Sequence, residues 1–182
     1  GWVRMLRPGQ WADSLLCQAG GHYPGGEYVC LYNGNGQIDF AFDAEAVHRE
    51  PGRILLNVEP TAAGMVVKIM DTDPRNPVRD IRIVRTACEE IYDRHPFRPE
   101  FLRLWRPFQV VRFMDWMQTN NSSIEAWADR PLPDIQTQGG PKGVALEHMI
   151  QLANRLHADP WFCMPHEATD AYVRRFAEMV KR

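Results

Sequence analysis

A chain of 182 residues with 45% hydrophobic content can bury a real core, and it has room for one ordinary domain or for a small domain with part of a larger one. The formal charge of -2 provides no basic face for a nucleic-acid backbone. No apolar run approaches the roughly 20 residues a membrane-spanning helix needs, so neither nucleic acid nor membrane is an expected partner. Cys17, Cys30, Cys88 and Cys163 form no C-x-x-C pair and stand at no ligand spacing from a histidine, which argues against zinc. Free thiols acting as small hydrophobes are the simpler reading, with a Cys17–Cys30 bridge conceivable in an exported protein. The opening Gly1-Trp2-Val3-Arg4-Met5 has neither an initiator methionine nor the apolar segment of a signal peptide, and reads as an internal cut of a longer protein.

Residues 1–77 are turn-rich and strand-like. Glu27–Tyr32 and Gln37–Phe42 flank Asn33-Gly34-Asn35-Gly36, residues that accept positive φ, and this predicts a β-hairpin. Arg53–Val58 and Met65–Met70 predict a second pair across a Pro- and Gly-containing link. The spacing suggests an antiparallel sandwich or jelly-roll-like module. Asp71–Pro77, with two prolines among Asp and Asn, reads as a domain boundary.

From Val78 the pattern changes to strands alternating with helices. Ile81–Arg85 predicts a strand, Pro99 opens a helix carrying Phe101, Leu102 and Trp105 on one face, and Val110–Phe113 predicts the next strand. Val144–Leu156 sets Leu146, Met149, Ile150, Ala153 and Leu156 at helical spacing. Trp161–Met164 predicts a third strand, and a last helix from about Ala168 aligns Tyr172, Val173, Phe176, Ala177 and Val180. Three successive βα units imply parallel strands under helices, in either an open doubly wound sheet or a barrel. None of the three strand-end loops contains glycine, so the usual phosphate-binding loop is missing.

In parallel α/β architectures, loops at the carboxyl ends of strands form the active face. Arg112, Asp115, Trp116, Asn120, Trp161 and His166 would therefore converge on one mouth. Its chemistry suits sugars: Trp116, Trp127 and Trp161 supply planes for stacking, while Arg112, Asp115, Asn120, Asn121 and His166 supply hydrogen bonds to vicinal hydroxyls. Each residue also has a structural alternative. Trp161 could fill a core layer and Trp127 cover a loop; Asp115 could cap its own loop and His166 the last helix. Glu167 would complement the helix dipole. Arg112, a charge in an apolar run, calls for a carboxylate partner such as Asp115 or Asp80, or else holds a nucleophilic carboxylate ionised.

A metal site is not expected. His148 and His157 lie nine residues apart on one helix and cannot share a ligand face, and His22, His48 and His95 fall in separate loops. A centre built on His166 and Asp115 is the remaining metal alternative. Ser122-Ser123 lacks the setting of a nucleophile elbow, and Cys163 has no base beside it. No cofactor is expected.

Several stretches together resemble a group of bacterial proteins that carry a clan-A-like glycoside hydrolase TIM barrel behind a β-rich forepart. They are Pro77–Arg82, Phe97–Leu102, the Arg112-Phe113-Met114-Asp115-Trp116-Met117-Gln118-Thr119-Asn120 run, Trp127–Arg130, residues 158–173 and the Gly25–Gly36 segment. The resemblance implies an α/β fold, with an antiparallel β-sandwich-like domain over 1–77 and the first three βα units of a partial (β/α)8 barrel over 78–182. Arg112 resembles that clan's strand-two arginine and His166 its strand-three histidine near the substrate. The clan's acid/base and nucleophile glutamates end strands four and seven, which have no counterpart in this chain, so Asp115 and Glu167 take neither role.

The expectation that follows is a fragment of a carbohydrate-active enzyme, a retaining glycoside hydrolase acting on an oligosaccharide or polysaccharide, itself inactive and exported with its parent. The alternatives are a non-catalytic carbohydrate-binding or scaffolding protein and a metal-dependent hydrolase.

Overall fold

Residues alternating between apolar and polar carry the chain from Ala12 to Arg85 as a series of strands. In the computed structural model, which describes residues 2–135 and 138–182, these are β1 (Ala12–Leu16), β2 (Gly26–Asn33), β3 (Gly36–Phe42), β4 (Ala44–Glu50), β5 (Arg53–Val58), β6 (Met65–Thr72) and β7 (Arg79–Arg85). Two sheets result, ordered β1-β6-β3 and β4-β5-β2-β7, with every pairing antiparallel. In β5, Ile54, Leu56 and Val58 are buried while Arg53, Leu55 and Asn57 between them are not, the two-residue period of a strand with one dry face. Those three pack with Tyr28 and Cys30 of β2, and with Ile38 of β3 and Met65, Val67 and Ile69 of β6 from the other sheet, in one shared core.

Both expected hairpins are instead crossings between sheets. β2 pairs with β5 and β7, β3 pairs with β6, and the Asn33–Gly36 turn carries the chain from one sheet to the other. Close approach explains its glycines: a Cβ on Gly34 would stand 2.1 Å from the Pro77 carbonyl oxygen, and one on Gly36 2.2 Å from that of Asp71. The Asn35 amide donates to Asn76 O and the Asp73 amide to Asn35 O, so Asp71–Pro77 is stitched to this turn inside the β-rich unit.

The chain changes sheets again at Phe42, which holds φ 62, and Asp43, which is only 6% exposed. Asp43 accepts hydrogen bonds from the Tyr23 and Thr61 hydroxyls and, at 2.7 Å, from the Thr61 amide. Burial works against its charge, yet these bonds together with the Gly64 amide overcome it and hold the carboxyl below its ordinary range. The same arrangement raises the Tyr23 hydroxyl, first through burial and then through its bond to Asp43. At the other end of β5, Glu89 receives both Arg53 Nε at 2.7 Å and Nη2 at 2.9 Å, a bidentate pair tying the segment after β7 to β5.

Compact units run Gly1–Pro96 and Phe97–Arg182. The second contains α1 (Pro99–Trp105), β8 (Val110–Arg112), α2 (Leu146–Leu156), β9 (Asp159–Trp161) and α3 (Asp170–Lys181). Pro99 stands in the first turn of α1, where its missing N–H costs nothing. On α2, Leu146, Met149, Leu152, Ala153 and Leu156 form the buried stripe, and His157 ends the helix in the left-handed region at φ 54. Thr169 caps α3 by accepting the Tyr172 amide. Tyr172 and Phe176 face a core that also holds Val111, Phe113 and Met149.

The expected α/β class, with the first units of a (β/α)8 barrel, is contradicted. Nine strands in three sheets and only three short α-helices make the described residues predominantly antiparallel β. The parallel pairing is confined to β8 and β9, three residues each. The strand expected to open the barrel is β7, an antiparallel edge beside β2. A strand of a covered parallel sheet is apolar on both faces. Arg79, Asp80, Arg82 and Arg85 fit an edge with one wet face instead.

Candidate functional site

β8 and β9 run parallel with Val110 opposite Asp159, Val111 opposite Pro160 and Arg112 opposite Trp161. Side-chain alternation divides this small sheet into two faces. Val111 and the following Phe113 are buried; Phe113 stacks on Phe162 at 5.6 Å between ring centroids, and Phe162 meets the edge of Phe176 at 4.9 Å. The opposite face is open: Val110 is 50% and Trp161 56% exposed, with Arg112 and Asp159 exposed beside them.

Arg112 was expected to need a carboxylate. A three-residue strand with one face in water removes that need, and the guanidinium lies 4.9 Å from the centroid of the Trp161 ring. The indole is thus braced from one side while more than half of the side chain stays open to solvent. From Trp161 a groove of about 660 Å³ continues past Pro160, Phe162, Val173 and Phe176 to Lys181. These groove residues escaped sequence reasoning, although Val173 and Phe176 were read as one helical stripe; the outer part of that stripe lines a surface rather than a core.

Because β8 and β9 are parallel, the loops bearing Asp115, Trp116, Asn120 and His166 all follow carboxyl ends on one side of the pair. Asp115 and Asn120 are exposed, Asp115 opening a single 3-10 turn over Asp115–Met117. His166 is exposed with Nε2 3.7 Å from the Glu167 carboxylate. Trp116 is half-buried against Phe113 at 5.6 Å, and its carbonyl oxygen accepts the Val144 amide at 2.7 Å, which gives it a packing role. Trp127 is covered as well: Arg130 lies 4.5 Å from its ring centroid and Tyr172 meets it edge-on at 5.5 Å. Arg130 in turn reaches the Glu147 carboxylate at 3.1 Å. The structure therefore brings Arg112 and Trp161 into contact and turns the other two tryptophans toward the protein.

The four cysteines are thiols outside any disulfide, Cys17 exposed and Cys30 buried, with burial pushing the Cys30 thiol up to about 12. Among the described residues no group of three or more His, Cys, Asp or Glu stands together as a metal site would require. No helix among them is long and apolar enough to cross a membrane. No family model matches the chain, and the searches of curated proteins and of solved structures found no match.

Proposed function

We propose that this chain binds a saccharide on the open face of the β8–β9 pair, as the ligand-holding part of a carbohydrate-active protein. The observation that carries this reading is Trp161: 56% exposed, at the end of a strand, and braced by Arg112 at 4.9 Å. Trp161 does not stand alone: it is continuous with the apolar groove over Pro160, Phe162 and Val173, and a contiguous exposed apolar surface is one a ligand can cover. The apolar face of a sugar ring stacks on such a plane, and a brace that fixes the indole before binding lowers the ordering cost. Arg112 keeps donors for ring hydroxyls, and Asp159 offers an acceptor on the same face. Asp115, Asn120 and His166 follow the strand ends and supply further hydrogen bonds there.

Glycoside hydrolysis by a retaining mechanism is the larger activity to which such binding would belong. That chemistry needs two carboxyl groups about 5–5.5 Å apart, and none of these residues is assigned to it. Calorimetric titration of the full chain with neutral β-linked oligosaccharides tests the binding step. Trp161→Ala should weaken binding by roughly 2- to 13-fold beyond its area effect, while Trp116→Phe should leave affinity unchanged. Equal affinity of wild type and Trp161→Ala would refute the proposal.

A further inference from the structure

We infer that the β-rich unit carries a second saccharide subsite, a single-ring pocket formed where a bulge in β7 sets Asp80 and Arg82 beside Tyr32, Asn33 and Tyr92. The inference takes its ligand class from the proposed sugar-binding function but stands on different residues, in a different unit of the chain. β2 and β7 pair regularly from Tyr28 opposite Arg85 to Leu31 opposite Arg82; the register then shifts so that Asn33 faces Arg79. Asp80 and Ile81 are thereby left opposite the single residue Tyr32. Asp80 holds φ 53, in the left-handed region where such bulges ordinarily place glycine. Asp tolerates that conformation better than most residues but still carries strain, and strained backbone of this kind clusters at binding sites.

The bulge aims the Asp80 carboxylate at the Asn33 amide, which donates to it at 3.1 Å. Arg82 is steadied by its own Nη1 donating to Ile81 O at 3.1 Å. Together with Gly52 these side chains enclose a depression of about 240 Å³. Gly52 keeps that wall low, since a Cβ there would stand 3.2 Å from Tyr32 O at φ 77. The volume falls below the roughly 300–1,000 Å³ of pockets for drug-sized ligands and suits one ring. The lining itself holds one carboxylate and one guanidinium, and Arg79 Nε also lies 3.8 Å from Asp80 Oδ2, so competition by inorganic phosphate decides between a neutral ligand and an anion. Carboxylate, amide and guanidinium form the donor and acceptor set that vicinal hydroxyls take up, and two half-buried tyrosines add planes with polar edges.

The test is titration of the full chain with neutral hexoses and pentoses and their β-1,4-linked oligomers, followed by backbone amide NMR shifts and by calorimetry. Monosaccharide should shift the amides of Gly52, Asp80 and Arg82. Arg82→Ala and Tyr92→Ala should each weaken that binding by about fivefold to tenfold, whereas Trp161→Ala should leave it intact. Because the wild-type shifts need no variant, a variant that fails to fold does not spare the inference. Sugar-induced shifts confined to the Arg112–Trp161 face would overturn this subsite and leave the proposed function standing. Shifts confined to the Gly52–Arg82 region, unaffected by Trp161→Ala, would support the subsite while removing the proposed one. Absence of binding by every sugar, or displacement of the sugar by inorganic phosphate, would overturn the inference.

Discussion

The Arg112–Trp161 stack has a measurable strength in the free protein. Trp161 is 56% exposed, so less than half of its surface is withdrawn from water. A buried aromatic side chain covers about 150–250 Å², so here about 70–110 Å² is covered, worth at most about 2–3 kcal/mol at about 25 cal/mol per Å². Trp161→Ala should destabilise the chain by no more than that. A guanidinium over an exposed ring contributes about 0.5–1 kcal/mol. A double-mutant cycle with Arg112→Ala, Trp161→Ala and the double variant should therefore return a coupling of about 0.5–1 kcal/mol. Equilibrium urea unfolding followed by far-ultraviolet circular dichroism, with the slopes compared among all four proteins, supplies the numbers. A coupling below about 0.2 kcal/mol would mean that the stack holds nothing in place, and the argument from a preformed sugar platform would fail.

Leu56, 0% exposed in the shared core of the two sheets, should cost about 2–5 kcal/mol when truncated to alanine, measured by the same unfolding curves. Gly34→Ala should cost well over about 1 kcal/mol, because its φ of 91 and its approach to Pro77 leave no room for a Cβ; a neutral result would mean that the crossing is misplaced. Asp43 has its folded carboxyl value depressed, so its stabilising contribution is complete above the ordinary value of about 3.9 and is lost as pH falls through the lower folded value. Asp43→Asn should accordingly be less stable at neutral pH and show a flatter loss of melting temperature on acidification below about pH 4. Thiol labelling of the native chain should modify exposed Cys17 quickly and Cys30 only on unfolding, since burial raises the Cys30 thiol to about 12.

Elements whose partners are set by local period were legible in the sequence. The alternation of β5 and the buried stripe of α2 follow from residue order alone, and Pro99 marks the start of α1 through local chemistry; for α3 the cap offered was His166, whereas the side chain that accepts there is Thr169. Pairing was not legible, because Asn-Gly-Asn-Gly serves equally for a hairpin and for a crossing into the other sheet; contacts with Asp71–Val78, nearly 40 positions away in the chain, decide between them. β4 escaped notice because Ala44-Glu45-Ala46-Val47-His48-Arg49-Glu50 is mostly solvated and owes its strand to β5. In β7 the deciding signal was present: its four charged residues exclude a strand covered on both faces. At the site, Arg112 and Trp161 were expected at one mouth, but their contact was not foreseen, because the partner expected for Arg112 was a carboxylate. That expectation treated Val110–Phe113 as buried throughout, whereas two consecutive apolar residues before an arginine also fit a strand with one open face.

The most direct test of sugar binding on the β8–β9 face is the indole N–H spectrum of the full chain. Six tryptophans give six side-chain signals, and Trp161 is assigned by its loss in Trp161→Phe. Titration with a neutral β-linked oligosaccharide should move the Trp161 signal and the Arg112 Nε–H signal together, saturably and with one affinity, while the Trp116 and Trp127 signals stay in place. Saturable binding that leaves Trp161 and Arg112 unmoved, or no binding at all, would contradict the account.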